Sequence, residues 1–123
     1  MRVLAPRVHR MLDFATVAAF ALAPSLLGLS GLAATLSYGL AVIHLALTLA
    51  TRFPGGSGFV ALSIHGVIEL IVGVSLILVP LMMGWTGAAR SFYVAAGLVI
   101  LAVWALSVYA DDGSLRSLGD SVA

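Results

Sequence analysis

The sequence predicts an all-α integral membrane protein: a four-helix bundle made of two tandem helical hairpins related by pseudo-two-fold symmetry. Three observations predict it. The 123 residues are 62% hydrophobic and 9% charged, with a mean hydropathy of +1.17, where an average soluble domain carries about a quarter charged residues. Four stretches approach the ~20 largely apolar residues of a spanning helix. The chain also matches itself, without a gap, when shifted by 56 positions.

The first apolar stretch, Met11 to Leu29, follows Arg2, Arg7 and Arg10. A basic start before an apolar run also describes a secretory leader. Here Asp13 interrupts the run, Pro24 would stand first after a cut at Ala21-Leu22-Ala23, and the stretch has a counterpart later in the chain. It is therefore expected to be a transmembrane helix. "GLSGLAA" (Gly28 to Ala34) reads as a tight turn into the second stretch, Ala33 to Ala50, and "RFPGGSG" (Arg52 to Gly58) as a longer polar linker. The third stretch is Gly58 to Met83, "GWTGAAR" (Gly84 to Arg90) is a second tight turn, and Ser91 to Ala110 is the fourth stretch. The expected organisation is one transmembrane domain over 1–110, with hairpins at about 8–53 and 58–110 and a polar, solvated tail over 111–123.

Arginine placement orients the chain. With the N-terminus in the cytoplasm, Arg2, Arg7, Arg10, Arg52 and Arg116 lie inside and only Arg90 lies outside, as the positive-inside rule prefers. Trp85, Phe92 and Tyr93 are then expected at the outer interface and Phe53, Phe59 and Tyr109 at the inner one, with Trp104 turned to lipid.

The repeat brings rare residue types into register. His9 falls on His65, Asp13 on Glu69, Pro24 on Pro80, Gly28 on Gly84 and Gly31 on Gly87. Two hairpins of equal orientation imply a pseudo-two-fold axis along the membrane normal. Pro24 and Pro80, near the outer helix ends, are expected to bend or end their helices, and Gly39, Gly73 and Gly97 to allow close helix contact.

The pattern His-x-x-x-acid, then an apolar run to a proline, then a glycine-bearing turn, twice over, resembles the SPW repeat family of small prokaryotic integral membrane proteins. The resemblance covers about Val8 to Tyr109. Units of that family read His-x-x-Leu-Asp and later Ser-Pro-Trp. Here the first unit has "HRMLD" (His9 to Asp13) with Ala23-Pro24-Ser25, and the second "HGVIE" (His65 to Glu69) with Val79-Pro80-Leu81. The resemblance implies the helical fold and a bacterial or archaeal cytoplasmic membrane, and no particular activity.

Residues four apart share a helix face, so His9 can reach Asp13 and His65 can reach Glu69. Asp13 and Glu69 each stand fifteen positions before a turn glycine, about 22 Å along a helix, which puts both in the inner half of a core about 30 Å thick. His44, eight residues before Arg52, lies about 12 Å from the inner surface. His9, Asp13, His44, His65 and Glu69 can thus gather in one intramembrane polar cluster. Buried acids in lipid are paired, hydrated or protonated, so the pairs are expected to fix the register of the hairpins. A divalent metal, a haem between His44 and His65, or a proton relay are the alternatives. On the second stretch Ser37, Ala41, His44, Thr48 and Thr51 form a stripe at helical spacing, either a wet path or close-packing glue.

The absence of lysine excludes Schiff-base and P-loop chemistry, and the absence of cysteine excludes disulfides, thiolate sites and c-type haem. The net charge of +1 does not suggest nucleic acid. With no nucleophile beside a base, no catalytic residue, resident metal or cofactor is expected. The expected role is a non-enzymatic accessory or scaffold protein, with the lipid bilayer and either copies of itself or a larger membrane complex as partners. The competing class is a small transporter or a metal- or haem-binding protein.

Overall fold

The structure is a computed structural model that describes residues 2–109. The tail over 111–123, with Asp111, Asp112 and Asp120, lies outside the described residues, as does the expected end of the last span at Ala110. Among the described residues four helices form: α1 Pro6–Leu27, α2 Gly31–Ala50, α3 Leu62–Met82 and α4 Gly87–Leu106. All four are long and apolar enough to span a membrane, so the chain is a multi-pass membrane protein with an all-α bundle fold. α1 packs along α2, α3 packs along α4, and α1 also meets α4.

Each helix buries one stripe. In α1 it is His9, Asp13, Phe20 and Ala23-Pro24, in α2 Ala33, Ser37, Ala41, His44 and Thr48, in α3 His65, Glu69, Gly73, Leu76 and Pro80, and in α4 Tyr93, Gly97 and Ile100. Steps of three and four keep these residues on one face. The opposite faces are apolar and open, as at Leu26, Val42, Ile71 and Met82.

Helix ends depart from the sequence reading for local reasons. α1 starts five residues before Met11 because Pro6 takes the first helical position, where a missing N–H costs nothing. α3 starts at Leu62 rather than Gly58 because Val60–Ala61 (β2) is extended and pairs in parallel with Thr51–Arg52 (β1), Thr51 opposite Val60. α4 ends at Leu106 because Ser107 is extended and forms a parallel bridge with Leu4. The carbonyl of Ala50 accepts from Phe59 N–H at 3.0 Å, and fifty-six residues on, that of Leu106 accepts from Val3 N–H at 2.6 Å.

The two glycine turns, between α1 and α2 and between α3 and α4, are built alike. Gly28 and Gly84 have φ of 65° and 67°, Gly31 and Gly87 of 55° and 60°, left-handed conformations that glycine adopts without strain. Pro24 and Pro80 lie inside the last turns of α1 and α3 rather than ending them. Their carbonyls accept from Leu29 N–H at 3.0 Å and Trp85 N–H at 2.9 Å, the six-to-one bond of a Schellman cap. Pro24 leaves the Phe20 carbonyl without its helical donor, and Ser37 of α2 donates its hydroxyl to that carbonyl at 2.6 Å.

Several expected surface residues lie inside. Tyr93 is buried and donates its hydroxyl to the Ala33 carbonyl at 2.6 Å, because a phenol in the bundle gains a partner that it would lack against lipid. Phe53 is buried as well, its ring near those of His9 and His65. Trp104 is half-buried, with the Arg2 guanidinium 5.6 Å from its ring. A Cβ on Gly97 would stand 2.7 Å from the Gly73 carbonyl oxygen, so these two glycines do bring α3 and α4 together, whereas Gly39 faces open space.

Candidate functional site

α1, α2 and α3 bring His9, Asp13, His44, His65 and Glu69 to one place, at the end of the bundle that holds the start of α1 and the linker between the hairpins, and all five are buried. The approach is not one pair per hairpin. His9 Nε2 lies 3.3 Å from Asp13 Oδ1 in its own helix and 3.1 Å from Glu69 Oε2 across the bundle. His65 Nε2 lies 3.5 Å from Glu69 Oε1 in its own helix and 3.2 Å from Asp13 Oδ2 across it. Histidine and carboxylate therefore alternate around a closed ring of four. His44 stands outside it, its Nε2 3.6 Å from Asp13 Oδ1.

The outer nitrogens of the ring histidines face hydroxyls. Thr51 donates to the Leu47 carbonyl at 2.6 Å and stands 2.7 Å from His65 Nδ1. Ser107 donates to the Val103 carbonyl at 2.6 Å and stands 2.6 Å from His9 Nδ1. A hydroxyl has one proton, and in both cases the carbonyl takes it. Each hydroxyl oxygen therefore accepts from the imidazole, which assigns the Nδ1–H tautomer to both rings. Their Nε2 atoms then face the carboxylates.

Aromatic rings close the cluster on the side of the linker between the hairpins. Phe53 lies against His65 with centroids 5.8 Å apart, and Tyr109 lies 5.3 Å from the His9 ring and donates to Glu69 Oε2 at 2.6 Å. Burial, and then the Glu69 carboxylate, push the Tyr109 phenol above the ordinary tyrosine value, so it remains a donor. Gly66 makes room for it, since a Cβ there would stand 2.9 Å from the Tyr109 ring.

Despite the short separations, His9 Nε2, His44 Nε2, His65 Nε2 and Asp13 Oδ2 make no hydrogen bond among the described residues. The ring atoms meet at ion-pair distance but off the line that an N–H bond requires, and the 3.6 Å approach of His44 to Asp13 is too long for one. Removing two carboxylates from water costs several kcal/mol each unless positive charge compensates them. The ring therefore needs protons, on its imidazoles or its carboxyls, or a cation. A haem between His44 and His65 does not fit, because the Asp13 carboxylate fills the space between them.

All five expected residues thus come together, and the α2 stripe is the buried face of that helix. Sequence reasoning missed Ser107, took Tyr109 for an interfacial anchor and placed Thr51 on a stripe read as either a wet path or close-packing glue. A signal existed for one of them, since Thr51 falls on Ser107 under the same 56-residue shift. Pro24 and Pro80 lie at the opposite end of the bundle from the cluster, in the last helical turns described above. No family model, curated protein or solved structure matches the chain.

Proposed function

We propose that this chain is a non-enzymatic multi-pass protein of a bacterial or archaeal cytoplasmic membrane, both termini cytoplasmic, that serves as a scaffold or accessory component of a membrane assembly. The observation that carries this reading is the division of its side chains. Polar groups with chemistry to offer turn inward to a closed, buried ring, and the faces turned outward are apolar. The ring ties α1 to α3 and so joins the two hairpins.

The same geometry argues against an enzyme and against a transporter. The hydroxyls nearest the histidines, Thr51 and Ser107, donate to carbonyls of their own helices and are not activated as nucleophiles. Phe20, Leu76 and Ile100 form an apolar core toward the outer end, which disfavours a polar path across the bilayer. Membership of the SPW repeat family and a pseudo-two-fold axis along the membrane normal belong to this reading. The recurrence of caps and inner-end pairings at 56 residues supports them.

The test is mass spectrometry of the protein isolated from its native membrane in mild detergent. A stoichiometric larger membrane partner, or a homo-oligomer, is expected. A partner-free monomer that conducts protons in proteoliposomes would replace the scaffold reading with transport.

A further inference from the structure

We infer that His9, Asp13, His65 and Glu69 are the ligands of one divalent first-row transition-metal ion, with zinc the best fit. This goes beyond the scaffold reading and holds whether the chain works alone or in an assembly. Four observations carry it.

The first is distance. One donor atom from each residue can be chosen so that all four lie within 4.8 Å of one another. Each histidine Nε2 approaches an oxygen of both acids, at 3.1 to 3.5 Å, His9 meeting Asp13 Oδ1 and Glu69 Oε2 and His65 the other oxygen of each. A tetrahedral ion with bonds of about 2.0–2.1 Å sets its ligands about 3.3–3.4 Å apart, so small side-chain adjustments bring one oxygen from each acid into place.

The second is direction. His9 Nε2, His65 Nε2 and Asp13 Oδ2 are buried and aimed into the ring, yet none makes a hydrogen bond among the described residues. A ring held by protons would place N–H groups on line with the carboxylate oxygens. Buried donor atoms gathered in one place without hydrogen-bond partners suit a shared cation.

The third is the surrounding shell. A ligating histidine presents one nitrogen to the metal and donates from the other to a fixed acceptor. Thr51 and Ser107 are those acceptors, each locked by a bond to its own helix. Tyr109 does the same for a carboxylate, donating to Glu69 Oε2.

The fourth is charge and softness. Two carboxylates and two neutral imidazoles make a site of charge −2, which a divalent ion neutralises inside the bilayer. Imidazole nitrogens disfavour magnesium and calcium, and the lack of thiolate disfavours copper(I).

The experiment uses the full chain, purified in mild detergent without chelator and then stripped and titrated with zinc and cobalt(II). Elemental analysis is expected to give one metal per chain, and cobalt to give the visible bands of a four-coordinate nitrogen and oxygen site. Glu69→Gln, which keeps the shape and the bond from Tyr109, is expected to lose the cobalt bands, as is His65→Ala. Ser107→Ala and Thr51→Val are expected to weaken binding about 10–100-fold. A folded wild-type chain that binds neither ion would overturn the proposal, as would uptake that persists unchanged in both Glu69→Gln and His65→Ala.

Discussion

Thr51 and Ser107 hold two histidines from behind in the same manner: each hydroxyl donates to the carbonyl four residues earlier and accepts from an Nδ1–H, of His65 at 2.7 Å and of His9 at 2.6 Å. Replacing either hydroxyl by a methyl leaves a buried imidazole N–H without a partner. Thr51→Val and Ser107→Ala are each expected to cost about 1–3 kcal/mol, read as a lower melting temperature in detergent. Thr35→Ala, which removes an exposed hydroxyl bonded to its own helix, serves as the unaffected control.

Asp13 and Glu69 share both ring histidines, so their replacements are expected not to add. Removing one acid leaves positive charge or idle lone pairs in the ring, and breaking a buried pair costs about 3–5 kcal/mol. Asp13→Ala together with Glu69→Ala is expected to cost clearly less than the sum of the singles. A double-mutant cycle on thermal stability checks this, and strict additivity would mean that the two acids do not act on a common pair of histidines.

The glycines separate into two behaviours. Gly97→Ala places a methyl 2.7 Å from the Gly73 carbonyl oxygen, and backbone yields poorly, so a loss of about 1–3 kcal/mol is expected. Gly39→Ala meets nothing within 4 Å and gains helix propensity of up to about 1 kcal/mol. Melting temperatures of the two variants should therefore fall on opposite sides of wild type.

Orientation is testable because the chain has no cysteine of its own. Ser57 and Thr86 are both exposed, in the linker between the hairpins and in the second outer turn. With arginines drawn to the cytoplasm, Thr86→Cys is expected to react with a membrane-impermeant maleimide in intact cells, and Ser57→Cys only after the cells are opened. The reverse pattern would invert the topology.

The bundle was legible because hydropathy and period are local properties. The spans, the glycine turns and the buried stripe of α2 can all be read from one segment at a time. The five members of the cluster were legible for a related reason, since an acid or histidine in an apolar run must face inward. Their connection was not. Spacing of four points His9 at Asp13 and His65 at Glu69, while the shorter approaches run across the bundle, His9 to Glu69 and His65 to Asp13. Tyr109 was hidden similarly, because an aromatic near a helix end reads as an interfacial anchor until Gly66 is seen to leave it room. Tyr93 and Phe53 deceived for the same reason.

The parallel bridge of Leu4 to Ser107 answers the pairing of Val60 to Thr51, which lie fifty-six residues from the first two. The beginning of α1 is thus fastened to the end of α4 in the way that the beginning of α3 is fastened to the end of α2. The covalent link over 53–58 is then a tether, and the order of the hairpins along the polypeptide is interchangeable. A circular permutant opened within 54–57 and rejoined beyond α4 should rebuild the same ring, as should two hairpins supplied as separate chains.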